Sequence, residues 1–149
     1  MILGVTGHRK VINIEFVKNQ IHDILIELKP SEVISGMAQG YDLTVVKECI
    51  KLNIPFIAAV PFQGQESIWP KFAQEEYINL IKLAKSIEYV CSPGYAAWKM
   101  QRRNEYIVDN CDLLLAYWDK SKFGGTYNCI KYAESVQKDM RFLEINETL

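Results

Sequence analysis

The chain has 149 residues, 49% of them hydrophobic and 23% charged, with a formal net charge of −1. That size fits one domain able to bury its own core, and the near-neutral balance supplies no field to draw in nucleic acid or an anionic membrane. No run reaches the roughly 18 apolar residues that a spanning helix needs, and Met1 leads straight into Ile2-Leu3-Gly4 without the basic stretch of a signal peptide, which points to a cytoplasmic protein.

In chain order, Ile2 to Thr6 is a short apolar run that stops at Gly7, the pattern of a buried strand. Asn13 is placed to cap a helix in which Ile14, Val17, Ile21, Ile24, Leu25 and Leu28 recur at helical spacing, with Pro30 closing it. Val33 to Ser35 predicts the second strand and Leu43 to Leu52 the second helix. Phe56 to Val60 is the third strand. The next helix is expected over Trp69 to Ala84, with Pro70 in its first turn and Trp69, Phe72, Ala73, Tyr77, Leu80 and Ala84 on one side. Ile87 to Cys91, Ala96 to Asn110, Leu113 to Tyr117, Thr126 to Gln137 and Met140 to Ile145 read as strand, helix, strand, helix and last strand. Near-continuous apolar strands alternating with helices predict a parallel sheet covered on both faces. No repeat or linker divides residues 1–149. Cys49, Cys91, Cys111 and Cys129 stand too far apart for a CxxC pair, so buried free thiols are expected. With two histidines, no metal site is expected.

In such a sheet, ligands sit beyond the carboxyl ends of the strands, near the point where strand order reverses. The segments following the strands there collect Gly7-His8-Arg9-Lys10, then Gly36 to Asp42, then Asp119 to Thr126. Two glycine-led helix starts, at 36–42 and 124–126, point toward one crevice, where backbone N–H groups and the helix dipole suit a phosphate. Each glycine taken alone is equally a tight turn. The P-loop pattern GxxxxGK[ST] is absent. The first strand lacks GxGxxG, and Gly36 stands where a dinucleotide-binding domain places its acid, which argues against an NAD dehydrogenase. On the fourth helix, Asn104 falls on the apolar face with Met100 and Ile107, so its amide either ties neighbouring backbone or faces a ligand. Arg103 beside it is either a bidentate anion ligand or a solvated helix arginine. His8 either contacts ligand or caps its turn, and His22 reads as a surface residue. Tyr95, Trp98, Tyr117 and Trp118 are candidates to stack on bases, or core and interface aromatics.

The ordered set "TGHR" at 6–9, "SGMAQGYD" at 35–42, "PF" with Gln65 and Trp69, "RRN" at 102–104, Asp119 and "GGT" at 124–126 resembles the YpsA-like family. That family lies in the SLOG superfamily, with the LOG phosphoribohydrolases and the DprA/Smf proteins. The resemblance implies a single Rossmann-like three-layer domain with a mostly parallel sheet of five to six strands. It implies a nucleotide-derived ligand, its phosphate or phosphoribose near the glycine turns, and a homodimer or larger homo-oligomer. The ligand residues expected on this basis are Gly7, His8, Arg9, Gly36, Gly40, Asp42, Arg103, Asn104, Asp119, Gly124, Gly125 and Thr126. LOG-type hydrolases share PGGxGTxxE, whose glutamate assists N-glycosidic cleavage. Here "GGTYNCIKYAE" lacks the proline and brings its first acid at Glu134, so the expected reading is a sensor or regulatory binding protein. The alternative is a nucleoside 5′-monophosphate phosphoribohydrolase using Asp42, Glu105 or Asp119, and single-stranded DNA binding ranks behind both.

Overall fold

The computed structural model describes residues 1–145. Within them run strands β1 (Ile2–Gly7), β2 (Glu32–Ser35), β3 (Phe56–Val60), β4 (Ser86–Tyr89), β5 (Leu113–Tyr117) and β6 (Met140–Phe142). The helices between them are α1 (Ile14–Leu28), α2 (Tyr41–Lys51), α3 (Lys71–Ile81), α4 (Ala97–Asn110) and α5 (Gly125–Ser135). A 3₁₀ turn over Gln65–Ile68 precedes α3.

All six strands form one sheet in the order β4-β3-β2-β1-β5-β6. Every neighbouring pair is parallel, rather than mostly so. The chain steps outward from β1 to β4, then returns across the sheet to place β5 on the other side of β1. Right-handed crossovers put helices on one face during the outward steps and on the other after the reversal. Accordingly α1, α2 and α3 pack with Leu3, Val5, Val33, Phe56 and Leu115. The opposite face holds Ile107 and Val108 of α4 with Cys129 and Ala133 of α5, against Ile34, Ala59 and Leu114. The helices thus cover both faces of a single α/β domain.

β1 shows why its sequence reads as it does. Leu3 and Val5 are 0% and 1% exposed on the three-helix face. Gly4, between them, points at α4, where an added Cβ would lie 2.8 Å from Cys111 Sγ and 2.9 Å from Ile107 Cγ2. A side chain there would push the helix off the sheet. At the strand's end, a Cβ on Gly7 would lie 2.3 Å from Cδ2 of Tyr41. That ring is fully buried, stacks on Tyr117 at 5.8 Å, and its hydroxyl donates to the Leu115 carbonyl at 3.2 Å. Tyr41→Phe is expected to cost about 1 kcal/mol, one hydrogen bond with the packing kept; urea unfolding measures it.

Several boundaries differ from expectation. Asn13 sits at the start of α1 with φ 55° and makes no side-chain cap. α3 begins at Lys71, after an extended Trp69 and Pro70. Ala73 and Tyr77 carry its buried stripe, while Phe72 is 76% exposed. A helical repeat gives the spacing of a stripe and not its rotation about the axis. β6 ends at Phe142, short of Ile145. The four cysteines are free, and three are buried, with Cys91 half-buried past the edge strand β4.

Candidate functional site

The reversal in strand order leaves a crevice of about 460 Å³ beyond the carboxyl ends of β1 and β5. That volume is in the usual range for a small-molecule site. Gly7, His8 and Arg9 line it from the end of β1, Asp42 from α2, Arg103 and Asn104 from α4, and Gly124, Gly125 and Thr126 from the start of α5. Ile68, Trp69, Tyr95 and Phe123 form its apolar mouth.

The two glycine-led helix starts differ. At α5, the first internal amide bond runs from Asn128 N–H to the Gly124 carbonyl at 3.0 Å. The amides of Gly125, Thr126 and Tyr127 precede it and are the helix's orphan donors. A Cβ on Gly124 or Gly125 would meet nothing within 4 Å, so the turn into the helix is left uncovered there. Asn104 Nδ2 donates to the Gly125 carbonyl at 3.3 Å and fixes the turn. At α2 the space is already filled. Tyr41 N–H donates to the His8 carbonyl at 3.1 Å, and Asp42 Oδ2 accepts from Ala38 N–H at 3.3 Å. Gly40 has φ 87°, and a Cβ there would lie 2.0 Å from the Arg9 carbonyl oxygen. Gly40 and Gly36, expected among the ligand residues, do not line the crevice and stand behind its wall. Of the two helix starts, that of α5 is the one left open and without a carboxylate of its own.

Gly36 makes room for Arg103, whose Nη1 would lie 2.5 Å from a Cβ at that position. Arg103 is 7% exposed and is no solvated helix arginine. Its Nη1 donates to the carbonyls of Gly36 at 2.6 Å and Ala59 at 3.4 Å, and its Nε donates to Asn104 Oδ1 at 3.3 Å. Among the described residues no group takes Nη2, and Arg103 lines the crevice. Burial lowers its pKa while Asp42 opposes that shift; an arginine stays charged regardless.

Asp42 is the only carboxylate among the crevice-lining residues described. It is 6% exposed, and its Oδ1 is buried without a protein partner. Burial pushes its pKa up to about 6, against the pull of Arg103 and the Ala38 amide. Glu105 bonds Gln101 on the same helix and does not reach the crevice. Asp119 also stands outside it, in a separate groove with Trp118 and Lys120. Its Oδ1 accepts from Ser121 N–H and lies 3.0 Å from His8 Nε2. Its backbone N–H donates to the same nitrogen at 2.9 Å. His8 thus both lines the crevice and ties down the turn after β5. His22, exposed on α1, lies 3.4 Å from Glu48.

Of the four candidate stacking aromatics, Tyr95 alone lines the crevice. Trp98 is 60% exposed, Tyr117 is buried core, and Trp118 packs on Tyr127 and Phe142. Lys99 is the residue sequence reasoning missed. Its buried ammonium donates to the carbonyls of Ser92, Pro93 and Gly94 at 2.9, 3.2 and 2.8 Å and fixes the loop that carries Tyr95. The signal was its position four before Arg103, on the same helix face. Among the described residues no three of His, Cys, Asp and Glu stand together as metal ligands.

Residues 3–147 match the model of the YspA SLOG family. The chain is 30% identical to the uncharacterized SPbeta prophage-derived protein YoqJ of Bacillus subtilis strain 168 over 131 residues, 76% of this chain and 75% of that one. It is 29% identical to the UPF0398 protein ABC2016 of Shouchella clausii over 91 residues, and spans about half of that relative's length (48%). Among solved structures it is similar to DNA processing protein A (DprA) of Helicobacter pylori, at a TM-score of 0.74 and 18% identity, over 99% of this chain and 67% of that one. The structure of TM1055 aligns at a TM-score of 0.62 and 14% identity, over 93% of this chain and 71% of that one. At such identities the structures share the fold.

Proposed function

The chain belongs to the YspA SLOG family, and from that membership and the crevice's chemistry we propose that it binds a nucleotide or nucleotide derivative and acts as a sensor or regulatory binding protein in the cytoplasm. The observation that carries this reading is the open start of α5. The amides of Gly125 and Thr126 lack a helical partner, and both residues line the crevice together with Arg103, whose Nη2 has no partner among the described residues. Amides, helix dipole and a buried guanidinium together match a phosphate. The apolar mouth suits a base. No helix among the described residues is long and apolar enough to cross a membrane. A homodimer or larger homo-oligomer belongs to the same reading, and the open edge of β4, with Ile87 and Tyr89 exposed, is a surface available to it.

A thermal-shift series with nucleoside mono-, di- and triphosphates tests the proposal. A ligand at 100 times its Kd is expected to add about 2.7 kcal/mol, a rise of roughly 5–11 °C for a domain of this size. No rise with any phosphorylated nucleoside would overturn it.

One observation favours a second reading as phosphoribohydrolase: a lone buried carboxyl, Asp42, shares the crevice with Arg103. A carboxyl with a raised pKa suits general acid–base work. Release of free base from AMP or CMP, abolished by Asp42→Asn, would support it. The Helicobacter pylori DprA binds single-stranded DNA. A net charge of −1 gives this chain little electrostatic footing for such binding.

A further inference from the structure

We propose that the unpartnered Oδ1 of Asp42 accepts a hydrogen bond from a sugar hydroxyl of the bound nucleotide, so that the crevice selects ribonucleotides over their deoxy counterparts. This rests on the nucleotide-binding reading above and names the class of nucleotide it accepts.

Asp42 divides its two oxygens between two tasks. Oδ2 holds the loop through Ala38 N–H at 3.3 Å. Oδ1 is buried and has no protein donor, although buried polar atoms are almost always paired. An ionised carboxylate is an acceptor only, so the missing partner is a donor. It is not the phosphate, which a carboxylate repels and which α5 and Arg103 attract. The described residues offer no second and third ligand to make Asp42 part of a metal site. A nucleotide carries donors on its sugar and on its base. The base belongs at the mouth, where Ile68, Tyr95 and Phe123 are 85%, 70% and 77% exposed yet line the opening. Between a phosphate at the start of α5 and a base at that mouth lies the sugar, and Asp42 lines the crevice on the buried side. A hydroxyl there completes a site whose one polar atom otherwise stays unpaired. Sites built to bond a hydroxyl reject the analogue that lacks it far more strongly than sites that merely enclose it.

Isothermal titration of the full chain with AMP, 2′-deoxy-AMP, 3′-deoxy-AMP and inorganic phosphate tests this. AMP is expected to bind about tenfold or more tighter than at least one of the deoxy forms, the loss of one charge-assisted hydrogen bond. In Asp42→Ala, which leaves no polar side-chain atom for the hydroxyl, the ratio is expected to fall to about unity with phosphate affinity kept, and far-UV circular dichroism checks the fold. Equal binding of AMP and both deoxy forms to the unaltered protein overturns the inference while leaving nucleotide binding intact. Discrimination that persists in folded Asp42→Ala also overturns it. Failure of every nucleotide to bind overturns both readings together.

Discussion

Asp42→Asn is expected to stabilise the protein at pH 7. The carboxyl's pKa is pushed up to about 6 in the fold, against about 3.9 for a solvated aspartate. The folded state therefore holds its proton more tightly than the unfolded chain does. Stability from this group is fully present below about pH 4 and is lost as pH rises through about 6. A shift of this size corresponds to ~3 kcal/mol of cost once the group is ionised. An asparagine removes that cost, and its unpaired amide takes some of the gain away, leaving about 1–2 kcal/mol of net stabilisation at pH 7. The difference between variant and unaltered protein, from urea unfolding at several pH values, should grow between pH 4 and 6 and then level off. Taking the difference removes the contributions of other groups, such as Asp119, whose pKa is lowered by its bonds with Ser121. A variant less stable than the unaltered protein at pH 7 and equal to it at pH 4 would contradict this. A residue that weakens the fold it sits in is the signature of a group retained for its chemistry. Ligand binding that favours the ionised form should also release a proton near pH 6.

Arg103→Met is expected to be the most damaging single change in the crevice, destabilising by about 3–5 kcal/mol at pH 7. It removes the donors to the Gly36 and Ala59 carbonyls and to Asn104 Oδ1. Gln65 Nε2, at 3.1 Å, still serves the Gly36 carbonyl; Ala59 loses its side-chain donor. It also removes the cation that opposes the upward shift of Asp42. Nucleotide affinity should fall at least about tenfold, the loss of one charge-assisted contact. Arg103→Lys should not restore binding, because one ammonium cannot reach the Gly36 carbonyl and also present the donor that Nη2 offers the crevice. The double variant with Asp42→Asn should lose less stability than the two single effects summed, with a coupling of roughly 0.5–3 kcal/mol. Strict additivity would show that the two groups do not sense each other.

What the sequence disclosed follows from what periodicity encodes. Apolar runs bounded by Gly7, Gly36 and Pro61 mark strands whatever their order, and the stripe Val17, Ile21, Ile24 and Leu25 marks a helix with one buried face. The strand order is absent from such patterns, yet the loops that share the carboxyl edge follow from alternation alone. For that reason nine of the expected residues, Gly7, His8, Arg9, Asp42, Arg103, Asn104, Gly124, Gly125 and Thr126, line one crevice. Where a residue acts through empty space, the letters are silent. Gly36 reads as an anion turn, but its missing side chain houses Arg103, and an arginine's burial is visible only once that space is seen. Gly40 reads as a second phosphate loop, but Asp42 closes that helix start from within. Phe72 fits the helical repeat and still points to solvent, because nothing in a repeat fixes which flank meets the sheet.

A crystal structure of the protein with AMP bound tests the central claim most directly. The expected result is a phosphate within hydrogen-bond distance of the Gly125 and Thr126 amides and Arg103 Nη2, with a ribose hydroxyl on Asp42 Oδ1 and the base against Tyr95 or Phe123. A nucleotide bound elsewhere, with the start of α5 and Asp42 Oδ1 both untouched, would contradict it.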